Sequence, residues 1–352
     1  MARVLVAMSG GIDSSVSALL LRRAGHDVVG VFMRHGVPLP AGAGPSRKQG
    51  CCSLEDAYDA RRVADALGIP FYTLNFERPF ARIVEYFVSE YDRGRTPNPC
   101  VVCNRDLKFG KLFEYADAVG AQFVATGHYA RTERRGDRTV LLKGKDPRKD
   151  QSYVLFPLKR RDLERVLFPV GALEKTEVRA LAREAGFRIA EKPESMEICF
   201  VPDQDHRRLL RERLGERLRE GEFRSRDGRV LGRHGGHQLF TVGQRKGLGV
   251  AFGKPMYVVE IDPVRNVVVL SEEDERRAEF FVRDVNWIAA EPAPRDVSVK
   301  IRSAHPGAPA RVEPAGEARA RVVFREPQRA VTPGQAAVFY EGDLVIGGGW
   351  IE

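Results

Sequence analysis

The strongest constraint on the fold sits at the start of the chain. A short apolar run, Val4-Leu5-Val6-Ala7-Met8, passes directly into Ser9-Gly10-Gly11-Ile12-Asp13-Ser14-Ser15. A helical repeat follows, with Val16, Leu19 and Leu20 at i, i+3 and i+4 and Gly25 as its stop. An apolar run with no polar alternation reads as a strand buried on both faces, which belongs to a parallel sheet. A glycine pair at the carboxyl end of such a strand lets the backbone approach an anion. The next helix N-terminus presents N–H groups and a favourable dipole. Ser9, Ser14 and Ser15 add hydroxyls. Asp13 would repel an anion, so it holds either Mg²⁺ or the loop itself. The loop is no Walker A motif, because Gly-Lys-Ser/Thr is missing, and it lacks the G-x-G-x-x-G of dinucleotide folds.

Strand and helix continue to alternate. Strand patterns at Val28–Met33, Phe71–Phe76 and Phe123–Thr126 enclose a helix after Ser53 (Ala60, Val63, Ala64, Leu67), one marked by Phe80, Ile83, Val84, Phe87 and Val88, and one marked by Leu107, Leu112, Phe113 and Ala116. This alternation predicts a parallel sheet covered on both faces. Residues 36–50 read as a mobile Gly/Pro loop, and 131–145 as a hairpin. After about residue 204 the character changes. A helix over Arg207–Leu214 presents a solvated face of mixed charge, and from residue 222 short strands with Gly, Pro and Asp turns predict a small β module, a barrel. At 352 residues the chain has room for two or three domains.

With 43% hydrophobic and 30% charged residues, this is the composition of a folded soluble chain. A net charge of +9 tilts towards a polyanionic partner. The five cysteines are too sparse and odd in number for a disulfide scaffold. No signal peptide and no bilayer-spanning run is evident, so a cytoplasmic, reducing location is expected, without a membrane role. Cys51 and Cys52, beside the Gly/Pro loop, read as structural. Cys100 and Cys103, in Thr96-Pro97-Asn98-Pro99-Cys100-Val101-Val102-Cys103, precede a helix whose N-terminus favours a thiolate. Cys199 stands apart, after the polar stretch Glu191-Lys192-Pro193-Glu194-Ser195.

The string from Ser9 to Ser15 resembles the PP-loop of the ATP pyrophosphatases, which split ATP into AMP and pyrophosphate and adenylate an oxygen to make it leave. The cysteine contexts narrow the resemblance to the tRNA-specific 2-thiouridylases, the MnmA/TrmU family. So do Gly127-His128-Tyr129-Ala130-Arg131, Lys149-Asp150-Gln151-Ser152-Tyr153, Thr241-Val242-Gly243-Gln244-Arg245-Lys246-Gly247-Leu248 and Val331-Thr332-Pro333-Gly334-Gln335-Ala336. The resemblance spans nearly the whole chain. It implies an α/β protein with a parallel-sheet PP-loop domain over 1–204, a small central domain over 205–272 and a C-terminal β-barrel over 273–352.

The resemblance also implies the chemistry. ATP would be bound by Ala7, Met8, Ser9, Gly10, Gly11, Ile12, Asp13 and Ser14, with the backbone of Met33 and Gly127, and Mg²⁺ would accompany it. The wobble uridine (U34) of a tRNA, of the Lys, Glu and Gln isoacceptors, is splayed out and adenylated at its C2 oxygen. Sulfur carried as a persulfide on Cys199 then replaces that oxygen. Cys103 is the family's nucleophile, acting through a disulfide with Cys199 or by attacking first. Asn98, Pro99 and Cys100 would face the base, and Lys149, Asp150, Gln151 and Arg302 the tRNA. The sulfur comes from a donor protein, a cysteine desulfurase or a sulfur relay protein. Many family members carry Asp at the position of Cys100. Its thiol here leaves a second route open, a [4Fe–4S] cluster on Cys100, Cys103 and Cys199. His128 reads as a satisfied structural histidine in preference to a proton carrier. Two other readings stand beside this one: a different PP-loop synthetase, and a non-catalytic RNA-binding protein with a vestigial loop.

Overall fold

The computed structural model describes residues 1–36, 54–192, 198–201, 203 and 205–352. Cys51, Cys52 and nearly all of the Gly/Pro loop expected at 36–50 lie outside the described residues. The chain divides into two compact units. The first comprises Met1–Ile83, Cys100–Gln204 and Asp343–Val345, and the second Val84–Pro99, Asp205–Gly342 and Ile346–Glu352. Among the described residues no helix is long and apolar enough to cross a membrane.

The elements run β1 (Arg3–Ala7), α1 (Ile12–Arg23), β2 (Asp27–Arg34), α2 (Leu54–Leu67), β3 (Phe71–Asn75), α3 (Glu77–Asp92) and α4 (Pro99–Cys103). A π-helix (Asn104–Lys111) then leads into α5 (Leu112–Ala118), β4 (Phe123–Ala125), β5 (Ala130–Arg135), β6 (Arg138–Lys143), α6 (Arg160–Leu163), β7 (Val166–Leu167) and α7 (Lys175–Glu184). In the first unit the sheet order is β3-β2-β1-β4-β7, with every pairing parallel. The strand order therefore reverses at β1, and the crevice between the carboxyl ends of β1 and β4 is where a doubly wound sheet receives its ligand.

Burial explains the sheet. Val4, Val6, Phe32 and Ala125 pack against Val16 and Leu19 of α1, Ala60, Val63 and Ala64 of α2, and Val178 and Ala182 of α7. Each fully buried Val, Leu or Phe contributes roughly 1.5–3 kcal/mol, so this layer holds the strand ends in place. A capping box between Glu174 and Glu177 fixes the start of α7. The helix expected over Leu107–Ala116 instead begins as a π-helix. Its wider turns bring residue i+5 under carbonyl i. At Gly110 a Cβ would lie 3.1 Å from the Arg105 carbonyl oxygen, and glycine relieves that approach.

The second unit holds α8 (His206–Leu214), β8 (Gly221–Ser225), β9 (Val230–His234), β10 (Tyr257–Asp262) and β11 (Val267–Ser271), with sheet order β10-β11-β8-β9. The strands β12 (Arg276–Trp287), β13 (Arg295–Lys300), β14 (Ala308–Pro314), β15 (Ala320–Arg329), β16 (Ala336–Glu341) and β17 (Leu344–Ile351) follow. They run in the order β12-β15-β14-β13-β16-β17, and pairing of β12 with β17 closes them into a six-stranded antiparallel barrel. β12 pairs with β15 up to Val282 and with β17 from Val282 to Trp287, with a register break between Arg283 and Asn286 where Asp284 takes φ 52°. The end of α3 belongs to this unit: His237 Nε2 donates to the Asp92 carbonyl (3.1 Å) and Gln238 Nε2 to Asp92 Oδ1 (3.0 Å).

Candidate active site

The loop after β1 is a preformed anion cradle. Ser9 N–H donates to Ser14 Oγ (3.1 Å), and Ser14 and Ser15 hydroxyls donate back to the Gly11 carbonyl (3.1 and 3.0 Å). Ser15 N–H makes an i to i−4 bond to Gly11, so the N–H groups of Ile12, Asp13 and Ser14 lie ahead of the helical ladder at the positive end of α1. Gly10 sits at φ 71°, and a Cβ there would stand 2.2 Å from the Asp56 carbonyl oxygen. At Gly127, just past β4, a Cβ would lie 2.6 Å from the Ser14 nitrogen. Only glycine fits either position. The loop from Ala7 to Ser14 thus meets the end of β4 at the crevice. Met33 is partly exposed near the carboxyl end of β2.

Asp13 holds the loop. Its Oδ1 accepts from the Tyr129 hydroxyl (2.8 Å) and from Lys175 Nζ (2.6 Å). Lys175 is 8% exposed and its ammonium lies 5.7 Å from the Tyr129 ring centre. With that oxygen held by two donors, the carboxylate does not repel a phosphate at full strength. A second cation, Lys192, donates to the Gly10 carbonyl (3.3 Å), Asp56 (2.7 Å) and Asp59 (2.7 Å), tying the loop to α2. Burial lowers the Lys192 ammonium, but its two carboxylate partners outweigh that and carry it above the usual lysine value.

His128 is buried between Phe109 and Phe168. Burial, reinforced by the Lys108 ammonium 3.5 Å from Nε2, holds its imidazole well below the usual histidine range. The ring is therefore neutral, with Nδ1 2.7 Å from Thr126 Oγ1. Lys108 lies on the π-helix that begins immediately after Cys103.

The cysteines are placed differently from one another. Cys100 is exposed on α4, whereas Cys103 and Cys199 are half-buried. The expected three-thiol set is not assembled. Among the described residues, which include Cys100, Cys103 and Cys199, no three His, Cys, Asp or Glu side chains are grouped to hold a metal ion. These residues do not fit a [4Fe–4S] cluster. Asp150 and Gln151 are engaged by the backbone through their side-chain oxygens. Asp150 Oδ1 accepts from Gly144 N–H (3.1 Å) and Ser152 N–H (3.0 Å), and Gln151 Oε1 accepts from Tyr129 N–H (3.0 Å). They shape the segment on which Lys149 is carried. In the second unit, Asn98 is half-buried, Pro99 is buried, and Arg302 is exposed with Nη1 3.5 Å from the Arg329 carbonyl.

A family model described as the tRNA methyl transferase HUP domain matches residues 2–203. Models described as the tRNA methyl transferase PRC-barrel domain and the aminomethyltransferase beta-barrel domain match 207–272 and 277–351. A tRNA-specific 2-thiouridylase MnmA 1 of Clostridium botulinum (strain Loch Maree / Type A3) is 48% identical over 99% of both chains. The tRNA-specific 2-thiouridylase MnmA of Geobacter metallireducens is 51% identical over 99% of this chain and 96% of its own, and that of Carboxydothermus hydrogenoformans 50% over 99% and 97%. The chain belongs to the MnmA family of tRNA-specific 2-thiouridylases.

For this MnmA-family chain, sequence reasoning missed Lys175, Lys192 and Lys108. One signal was available for Lys175. It occupies the first turn of α7, where a cation opposes the helix dipole, and such a placement demands an acidic partner. Nothing local marks Lys192 or Lys108.

Proposed function

We propose that this chain is an ATP-dependent tRNA-uridine 2-sulfurtransferase that converts the wobble uridine (U34) of tRNA to 2-thiouridine. The observation that carries the reading is the anion cradle of Ser9 to Ser14 at the switch point of the sheet, in a chain that also carries Cys103 and Cys199 in the family's contexts. The cradle receives the ATP phosphates, with Met33 and Gly127 lining the nucleotide, and Mg²⁺ enters on those phosphates. The uridine C2 oxygen attacks the α-phosphorus, pyrophosphate leaves, and C2 now bears AMP as leaving group. The terminal sulfur of a Cys199 persulfide attacks C2 and AMP departs. The Cys103 thiolate then attacks Cys199 Sγ. The S–S bond to the transferred sulfur breaks, C2 keeps that sulfur as the thiocarbonyl, and a Cys103–Cys199 disulfide forms. A thiol reductant must reopen it for the next turnover. In the alternative order, Cys103 attacks C2 before the sulfur arrives.

Asn98, Pro99 and Cys100 are assigned to the target base, and Lys149 and Arg302 to the tRNA. Asp150 and Gln151 act by shaping the Lys149 segment. The surplus of positive charge, +9, suits the polyanion. The proposed division is 1–204 for nucleotide and sulfur chemistry, 205–272 as a central domain and 273–352 as the barrel, working in the cytoplasm on Lys, Glu and Gln tRNAs with a sulfur-donor protein. The test is anaerobic incubation with ATP, Mg²⁺, a persulfide donor (a cysteine desulfurase with cysteine), a thiol reductant and unmodified tRNA, followed by digestion and mass spectrometry. ATP-dependent 2-thiouridine is the expected product. Pyrophosphate release with another acceptor and no 2-thiouridine would refute the assignment.

A further inference from the structure

The segment Thr96-Pro97-Asn98-Pro99 has an unusual shortage of donors. Pro97 and Pro99 lack an N–H, so the loop cannot be fixed by a backbone ladder. Its carbonyls are met by the Thr332–Gln335 stretch that leads into β16. Gln335 Nε2 donates to two consecutive carbonyls, Thr96 O (3.2 Å) and Pro97 O (3.0 Å). Thr96 N–H in turn donates to the Pro333 carbonyl (2.8 Å). Gly334, at φ 88°, makes this approach possible, because a Cβ there would lie 2.8 Å from Thr96 O and 2.9 Å from Arg95 Cβ. The stretch is itself anchored to β17: Gly334 N–H donates to Ile351 O (2.9 Å) and Ile351 N–H to Gln335 O (2.8 Å). Upstream, Arg95 is clamped by its Nε and Nη2 (2.7 and 2.5 Å) to the carboxylate of Glu90, which is only 3% exposed.

We propose that Gln335 is a positioning residue for the thiolation reaction. Its amide fixes the backbone of the loop that presents Asn98 and Pro99 to the target base and runs directly into Cys100. The signature Val331-Thr332-Pro333-Gly334-Gln335-Ala336 thereby has a mechanical role in catalysis, not only in barrel closure. The inference rests on the function proposed above, and its test separates the two.

Gln335→Met, made in the full chain, keeps length and removes both donors. Hydrogen exchange of a peptide covering Thr96 and Asn98 should accelerate at least tenfold, with the melting temperature of the whole chain little changed. In the thiolation assay kcat should fall at least tenfold while KM for ATP stays within twofold. Gln335→Glu supplies the sharper readout. A carboxylate facing two carbonyl oxygens cannot donate, whereas its protonated form can, and that setting raises its pKa. The ratio of its kcat to that of the parent enzyme should therefore rise as pH is lowered from 8 to 6. Unchanged exchange in Gln335→Met, a kcat within twofold of the parent, a parallel loss in KM for ATP, or a pH-independent ratio for Gln335→Glu overturns the proposal. If the parent enzyme itself makes no 2-thiouridine, the functional reading fails, and the exchange measurement alone still decides whether Gln335 holds the loop.

Discussion

Lys175→Met should weaken ATP binding through a residue that need never touch the nucleotide. Methionine retains the aliphatic volume and removes only the ammonium that lies 2.6 Å from Asp13 Oδ1. The Lys175 side chain is 10% exposed and that of Asp13 31%. Removing one partner of a fully buried pair costs about 3–5 kcal/mol; the partial exposure of Asp13 reduces this to roughly 2 kcal/mol of stability. The larger consequence is electrostatic. Asp13 sits in the loop assigned to the ATP phosphates, and its uncompensated charge about 6 Å from an anion at an effective permittivity of about 20 would give roughly 3 kcal/mol of repulsion. At 1.36 kcal/mol per decade that is about a hundredfold rise in KM for ATP.

The assay is pyrophosphate release in the presence of tRNA, with ATP varied, on the parent, Lys175→Met, Asp13→Asn and the double variant. If Lys175 acts by neutralising Asp13, the double variant carries no net charge at the site and returns to within about threefold of the parent, a strong coupling in the mutant cycle. A double variant as impaired as Lys175→Met, or worse, would refute the reasoning and place the Lys175 ammonium on the nucleotide itself.

Three further outcomes are expected. Gly10→Ala forces a Cβ to within 2.2 Å of the Asp56 carbonyl oxygen at a φ of 71°; ATP affinity measured by calorimetry should be lost along with about 1–3 kcal/mol of stability, and an unchanged Kd would contradict the cradle geometry. Because the folded-state pKa of His128 is depressed, the unfolded chain binds a proton near pH 6.5 that the folded chain refuses, so stability falls as pH drops below that value. About 1.4 kcal/mol should go between pH 7.5 and 5.5 from this site, and urea unfolding of His128→Gln should show that much less pH dependence. Cys100→Ser should keep thiolation within about threefold, with activity indifferent to iron, while Cys103→Ser and Cys199→Ser each abolish it; joint loss of iron and activity in Cys100→Ser would reinstate a three-thiolate cluster.

What was legible in the sequence is what contiguous residues specify. The run Val4–Met8, the glycine pair and the period of Val16, Leu19 and Leu20 encode β1, the cradle and α1 in one stretch, and the structure follows them within two residues. Features that depend on partners far along the chain were not legible. Asp13 and Lys175 are 162 positions apart, so the sequence left Asp13 with two equal explanations, metal or loop. The π-helix was hidden because Leu107, Leu112, Phe113 and Ala116 satisfy an ordinary helical repeat as well. Three cysteines can be counted in a sequence, but their convergence cannot, and the structure does not group them.

The segment Val84–Pro99 shows the same limit at the scale of domains. By sequence it lies inside the nucleotide-binding half, between strands of one sheet. By packing it belongs with residues 205–342. The chemical sense of that placement follows from the loop it delivers. Two prolines make Thr96–Pro99 stiff but poor in donors, and a stiff loop keeps its conformation only when its carbonyls are met from outside. Gln335 meets two of them. A loop secured in this way belongs to the unit containing the barrel, while Cys100 and Cys103, next in the chain, pack with the unit that contains the cradle.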